Sequence, residues 1–335
     1  MRMSKILLVD SDSTIPNLAL MRLSSYHKKI GDSVSFLRLG IPVYGNPKEK
    51  VVDCSGYDKV YISSIFNSTS QHIKIINQNN SIVDYGGTGY DIKKKLPQDV
   101  YKCKPDYSIY PDNDTFYGFI SRGCFRNCCF CVVPQKEGDI HREIQTVVSL
   151  IDPDYDYKKI KFLDNNFFGL IDHKKFLEEL VNLGIKCQFN QGLDIRLIDE
   201  ENAELLSKLN YIGEYIFAFD SVKDQKLIEQ KLSIVKKYIP ASWKLKFFLY
   251  CHPDMDIIND VYYRILWCKE NKVLPYFMRD LSCWKSENAR IYNDLSAWCN
   301  QPGLFKNMNY KTFCIKRRPK VPYPECVPEL MRGVC

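Results

Sequence analysis

Short apolar runs alternate with stretches of helical period over residues 1–92, the pattern of a parallel sheet covered by helices. Lys5–Val9 reads as a buried strand, followed by strands at Val34–Leu39, Lys59–Ile65 and Ser81–Asp84. In the first connection Ser13 or Thr14 can cap a helix, Pro16 suits its opening turn and Gly31 its end, while Ala19, Leu23, Tyr26 and Ile30 make one apolar stripe. The unit reads as a small Rossmann-like N-terminal domain. Residues 93–115 carry Pro97, Pro105 and Pro111 among lysines and tyrosines with no sustained period, and are expected to be a linker. From Phe116 the alternation resumes at about the interval of a barrel repeat, with strands expected at Phe116–Ile120, Lys159–Leu163, Lys186–Phe189, Tyr215–Phe219, Leu245–Tyr250 and Val273–Phe277. Helices fit between them. In His173–Leu183 the residues Phe176, Leu177, Leu180 and Leu183 share a face, and Gly184 stops the run. The expected fold class is α/β, with a second domain over 116–300 and a C-terminal extension over 301–335.

Composition changes this picture little. The chain has 335 residues, 45% hydrophobic and 26% charged, ordinary for a soluble globular protein long enough for two domains. Its 47 basic and 40 acidic residues leave a net charge of +7, which permits contact with nucleic acid without indicating it. Fourteen cysteines would suggest disulfides in a short secreted chain. The stretch Met1–Val9 has no apolar segment long enough for a signal peptide, so a reducing cytoplasm is the expected setting. No apolar run approaches the roughly eighteen residues of a membrane helix, and no membrane contact is expected.

The stretch from Ser121 to Pro134, SRGCFRNCCFCVVP, sets Cys124, Cys128 and Cys131 in a CxxxCxxC spacing with Phe130 just before the last. Three thiolates on one tight loop can hold three irons of a [4Fe-4S] cluster, and no fourth cysteine follows at a matching short spacing. One iron is then open to a chelating small molecule, and the molecule this spacing usually serves is S-adenosylmethionine, whose reductive cleavage makes a carbon radical. A zinc knuckle is the competing reading, but it requires four ligands. Cys129 sits where the pattern is unconstrained and reads as a non-ligand packed beside the cluster.

This loop resembles the signature of the radical S-adenosylmethionine superfamily. Over its whole length the chain loosely resembles the cobalamin-binding-type members, in which a Rossmann-like domain precedes the cluster domain. The resemblance implies a partial (β/α)6 TIM-type barrel from residue 116, with chemistry at the carboxyl ends of its strands, and [4Fe-4S] and S-adenosyl-L-methionine as cofactors. It departs at the cobalamin loop: in place of DxHxxG stands Tyr26-His27-Lys28-Lys29-Ile30-Gly31, so no cobalamin is expected. By resemblance, Asp164 and Asn165 contact the amino group of the methionine moiety, Arg196 clamps its carboxylate, Asp220 and Ser221 meet the ribose hydroxyls, and Phe130 lies against adenine. Each has a structural alternative: a turn for Asp164 and Asn165, a salt bridge to Asp194 or Asp199 for Arg196, an N-cap for Asp220 and Ser221, and core packing for Phe130. An external one-electron reductant of flavodoxin or ferredoxin type is the implied partner. Neither a catalytic side chain nor a substrate is indicated.

Other features carry two readings each. Gly86-Gly87-Thr88-Gly89 is either a ligand loop at a strand end or a turn needing positive φ. His252 either moves protons at the active face or is a capped structural histidine. Cys251, Cys283, Cys299, Cys314, Cys326 and Cys335 lack a compact ligand spacing and make a second cluster only if the fold gathers them. The run Lys316-Arg317-Arg318-Pro319-Lys320 either touches phosphate or is a solvated surface. The first functional reading is therefore a radical enzyme that abstracts hydrogen from an unidentified substrate. A methylthiotransferase-like enzyme of transfer RNA shares the Ser-Arg-Gly-Cys entry, but Cys54 and Cys103 stand alone where three N-terminal cysteines are needed, and no small RNA-binding barrel follows. A non-catalytic iron-sulfur or zinc protein would hold metal without cleaving the cofactor.

Overall fold

The computed structural model describes residues 3–241 and 243–320 and is α/β with mostly parallel strands. Two compact units divide it. The first comprises residues up to Tyr117 together with Cys128–Gly138, the second Gly118–Asn127 together with the residues from Asp139 onward.

In the first unit the strands are β1 (Lys5–Asp10), β2 (Ser33–Arg38), β3 (Lys50–Asp53), β4 (Lys59–Ser63), β5 (Ile73–Ile76) and β6 (Ile82–Gly86). Four of them form a parallel sheet in the order β2-β1-β4-β6, while β3 and β5 pair in parallel with each other. The latter two escape the sequence pattern because they are short and largely solvent-facing. The helix Leu18–Lys29 is capped by Asn17 rather than Ser13 or Thr14: the Asn17 side chain accepts from the N–H groups of Ala19 and Leu20. Its buried face is Leu20, Met21, Leu23, Ser24 and His27, one step round from the expected stripe, and Ile30 is exposed. Apolar periodicity misses this face because two of its members are polar and satisfied. His27 Nδ1 lies 2.7 Å from Asp32 and Nε2 3.0 Å from the Tyr61 hydroxyl, and Ser24 donates to Asp106 at 2.5 Å.

The stretch expected as a linker packs onto this unit. Val100 joins Ile6, Leu8, Leu20 and Leu23 in one apolar cluster, and the Tyr110 hydroxyl donates to Asp10 at 2.8 Å while accepting from the Asn17 N–H at 3.1 Å. Such anchors are placed singly, so they leave no period to read. At the carboxyl ends of β4 and β6 the backbones nearly touch: a Cβ on Gly87, whose φ is +89°, would stand 2.2 Å from the Ser64 carbonyl oxygen. Close packing is what this glycine serves.

In the second unit, Gly118 is the last residue of β7 (Phe116–Gly118) and accepts at 2.9 Å from the Leu163 N–H, just past β10 (Lys159–Phe162). The short antiparallel pair β8 (Ser121–Arg122) and β9 (His141–Arg142) lies between these two in sequence. β11 (Lys186–Phe189) pairs in parallel with β10, and β12 (Tyr215–Ala218), β13 (Leu245–Cys251) and β14 (Leu274–Arg279) form a further parallel sheet. Backbone bonds from the Leu193 N–H to Ile216 and from the Ile212 N–H to Cys187, both 2.8 Å, join the two sheets. The helix His173–Leu183 buries Phe176, Leu177 and Leu180, and Gly184, at φ +61°, ends it. Arg264 is wholly buried on the helix after β13 and donates to the carbonyls of Phe219 at 2.8 Å and Tyr250 at 3.0 Å, tying the ends of β12 and β13 together.

Two glycine substitutions separate close approach from conformational strain. Gly45 also has positive φ, at +96°, but nothing lies within 4 Å of its would-be Cβ. Gly45→Ala should therefore cost about 1 kcal/mol and Gly87→Ala more than about 3 kcal/mol in urea unfolding; equal losses would contradict the packing account.

Candidate functional site

Past the end of β10, three consecutive polar residues hold the entry to the cysteine loop. Asp164, 2% exposed, accepts from the Ile120 N–H at 3.1 Å, the Ser121 N–H at 2.6 Å and the Ser121 hydroxyl at 2.8 Å. Asn165 Oδ1 accepts from the Gly123 N–H at 3.0 Å, and Asn166 Nδ2 donates to Cys124 Sγ at 3.5 Å. Cys124 Sγ also accepts from the Arg126 N–H at 3.3 Å. Asp164 and Asn165 are thus occupied with the loop backbone. Asn166, which sequence reasoning passed over, is 4% exposed and has an Oδ1 with no partner among the described residues. Its position in the same strand-end triplet was the available signal.

Burial pushes the Asp164 carboxyl up from 3.8 to about 6, against the pull of the donors at Ile120 and Ser121. A carboxyl without nearby cations behaves this way even when hydrogen-bonded.

The division between units falls inside the loop: Cys124 lies in the second, Cys128 and Cys131 in the first. The Cys131 N–H donates to the Cys128 carbonyl at 3.0 Å, closing a turn that runs into the short helix Val133–Lys136. Lys136 Nζ donates to Thr88 Oγ1 at 3.2 Å, so the glycine-rich segment anchors this part of the chain. Cys129 is exposed, and the Phe130 ring, 36% exposed, is not a core residue. The donor chemistry of the loop fits a thiolate-held cluster, since N–H groups aimed at sulfur are what such ligands need. Among the described residues, however, no three His, Cys, Asp or Glu side chains stand close enough together to hold a metal ion.

Arg196 lies in an ion network. Its Nε reaches Asp194 at 2.7 Å and its Nη1 reaches Asp224 at 2.8 Å, while Arg126 Nε meets the other oxygen of Asp194 at 2.9 Å. Burial opposes charge on both Asp194 and Arg196, yet the mutual pairing outweighs it, lowering the first pKa and raising the second. Of the two acids near it in sequence, Arg196 pairs with Asp194, and Asp199 instead meets Lys174 at 3.0 Å. Arg126 and Asp224 are additions that only the fold reveals. Asp220 accepts from the Tyr250 N–H at 3.0 Å, and its pKa is raised by burial. Ser221 caps the turn Val222–Asp224.

His252 is held by its own turn, its Nδ1 3.2 Å from the Asp254 N–H. Cys283 Sγ lies 3.5 Å from the Cys251 carbonyl, both residues buried, and Cys299 and Cys314 are buried as well. Cys326 and Cys335 lie outside the described residues.

In fold the chain is similar to a radical S-adenosylmethionine enzyme, and a stretch of its sequence is similar to part of a methylthiotransferase. Among solved structures it is similar to the radical S-adenosylmethionine methyltransferase TsrM from Kitasatospora setae, solved with tryptophan substrate and the analogue aza-SAM, with a TM-score of 0.57 and 12% identity over 82% of this chain and 73% of that one. The cobalamin-dependent S-adenosylmethionine radical enzyme OxsB gives a TM-score of 0.46 at 12% identity, over 94% of this chain and 56% of that one. Over 99 residues the chain is 30% identical to the ribosomal protein uS12 methylthiotransferase RimO of Petrotoga mobilis, a match that spans 26% of this chain and 20% of the relative. No family model matches.

The raised carboxyl at Asp164 has a consequence for stability. Between the ordinary 3.8 and about 6 the native state holds a proton that the unfolded chain has lost, so stability falls as pH rises through that window. Asp164→Asn should remove this slope, narrowing its deficit against wild type by about 2 kcal/mol between pH 4 and pH 6 in denaturant unfolding of the cluster-free protein. A constant deficit would contradict it.

Proposed function

We propose that this chain is a radical enzyme that binds S-adenosylmethionine at a [4Fe-4S] cluster held by Cys124, Cys128 and Cys131 and abstracts hydrogen from a substrate not yet identified. The observation that carries this reading is the Cys124 sulfur, with two N–H donors aimed at it inside a loop braced from the end of β10. When bound, the cluster supplies one electron for reductive cleavage of the cofactor to methionine and a deoxyadenosyl radical. The three thiolates are gathered on loading, as metal ligands without a preformed site commonly are. On this reading the strands from Gly118 onward belong to a partial (β/α)6 barrel and the first unit is a Rossmann-like domain, consistent with the strand order β2-β1-β4-β6. An external one-electron reductant of flavodoxin or ferredoxin type supplies the electron. The absence of any long apolar helix among the described residues is compatible with a cytoplasmic setting.

The side chains then divide their work differently from the resemblance. Asp164 and Asn165 fix the loop, leaving the orphan Asn166 Oδ1 as the acceptor for the methionine amino group. Phe130, partly exposed on the cysteine loop, keeps its place against adenine. Arg196 orients Asp194 and the loop residue Arg126 rather than reaching the cofactor carboxylate alone. Asp220 retains the ribose role through the oxygen that Tyr250 does not use. The barrel's task is to exclude water and aim one carbon at one hydrogen.

The sequence match to RimO favours methylthio transfer as a second reading. Against it, Cys54 is buried in the apolar cluster of Val9, Val52 and Val60, where it cannot serve a second N-terminal cluster.

Anaerobically reconstituted wild type and Cys129→Ala, given S-adenosylmethionine and a strong reductant, should both release deoxyadenosine detectable by mass spectrometry, and Cys128→Ala should release none. Loss in both variants would show the ligands to be wrongly assigned. No product from cluster-loaded wild type would favour the non-catalytic reading.

A further inference from the structure

At the carboxyl ends of β12 and β13 one rung of the sheet is opened. Phe219 lies one residue past β12, and its N–H donates to the Phe248 carbonyl at 2.9 Å, the ordinary parallel pattern. The next rung of that pattern would run from the Tyr250 N–H to the Phe219 carbonyl. Instead the Tyr250 N–H donates to Asp220 Oδ1 at 3.0 Å, and the Phe219 carbonyl accepts from Arg264 Nη1 at 2.8 Å. At the neighbouring strand ends the ladder runs on in the ordinary way, from the Asn190 N–H to Phe162 and from the Asp280 N–H to Cys251, both at 2.9 Å.

Arg264 lies in the first turn of the helix Tyr263–Glu270 and is wholly buried. Its Nη2 donates to the Tyr250 carbonyl at 3.0 Å and its Nε to Asp260 at 2.5 Å. One planar fork therefore grips both sides of the Asp220–Tyr250 bond: the peptide that leads into Asp220, and the residue whose N–H Asp220 holds. A lysine, with a single point charge, does not reproduce a fork across two carbonyls. Burying a guanidinium carries a large desolvation cost, and a strand end whose only task is to hold the sheet closes its own rung without one. The fork is needed if the Asp220 carboxylate must stand at the strand end, because an acceptor that takes the Tyr250 N–H leaves the Phe219 carbonyl in want of another donor. Asp220 is half-buried, and its Oδ2 accepts from no described residue. Burial pushes its carboxyl up, opposed by the Tyr250 N–H and by the charge of Arg264.

We propose that Arg264 is a positioning residue: by supplying the donor that the opened rung takes away, it fixes Asp220 with one oxygen left for the ribose hydroxyls of the cofactor. The identity of that ligand rests on the radical reading above; the opened rung does not.

The test is anaerobic calorimetry on the cluster-loaded full chain, with S-adenosylmethionine and its analogue lacking both ribose hydroxyls. Wild type should bind the analogue at least about tenfold more weakly than S-adenosylmethionine. Arg264→Lys should bind S-adenosylmethionine at least about tenfold more weakly than wild type does, but the analogue within about twofold of wild type, because only the hydroxyl-dependent part of the affinity passes through Asp220. A residue that merely holds the fold would lower both affinities by the same factor. That result would overturn the proposal, as would a wild type indifferent to the hydroxyls or a folded variant that binds S-adenosylmethionine as wild type does. A wild type that binds neither compound overturns the radical reading, and the ribose assignment with it. Should Arg264→Lys fail to fold or to load its cluster, Asp260→Ala, which keeps both Nη donors and removes the anchor of Nε, must show the same selective loss at about threefold; no change there would overturn the proposal as well.

Discussion

The buried carboxylate of Asp164 is the interaction on which the rest of the candidate site depends. Its oxygens accept from three donors on Ile120 and Ser121, and the next two residues extend the same brace to Gly123 and Cys124. A loop with five backbone or side-chain positions tied to one strand end has little freedom to place its first cysteine elsewhere. The cost is a carboxyl taken out of water, visible in its raised pKa. That cost explains why the brace sits beside a parallel sheet, where a rigid strand end holds the acceptor in register.

A second constraint acts on the same loop from other strands. Arg126, two residues beyond Cys124, is bound through Asp194 to Arg196 and Asp224, so the segments after β11 and β12 both bear on it. Buried ion networks are poor sources of net stability but good sources of geometry. In this chain the network lies where geometry is needed. The first unit contributes by a different means: its glycine-rich strand end allows two backbones to approach within the space of a missing side chain, and Thr88 there receives Lys136 from the segment that carries Cys128 and Cys131.

Much of the strand order was legible in the sequence because buried parallel strands are nearly continuous apolar runs between breakers, and β10 and β11 in particular begin and end close to where those runs do. The cysteine triad was legible for a chemical reason, since ligand spacing on one loop is local. What escaped was non-local. Asp164 and Asn165 stood out as polar residues at a strand end, but that their partners were loop amides some forty residues earlier could not be read from either segment. Arg196 showed Asp194 nearby in sequence and gave no sign of Asp224 or Arg126. The buried face of the first helix was misjudged by one position because His27 and Ser24 are polar residues whose partners, Asp32, Tyr61 and Asp106, are supplied by the fold. The proline-rich stretch after residue 92 looked like a linker because its anchors, Val100, Asp106 and Tyr110, are spaced without a period.

Hydrogen exchange on the cluster-free protein tests the central claim directly. If the strand end of β10 holds the loop, the amides of Ile120, Ser121 and Gly123 exchange far more slowly than those of exposed loop residues such as Gly138, and Asp164→Asn releases Ile120 and Ser121 first. Exchange of all three at the rate of an open loop, in a chain otherwise folded, would contradict the account.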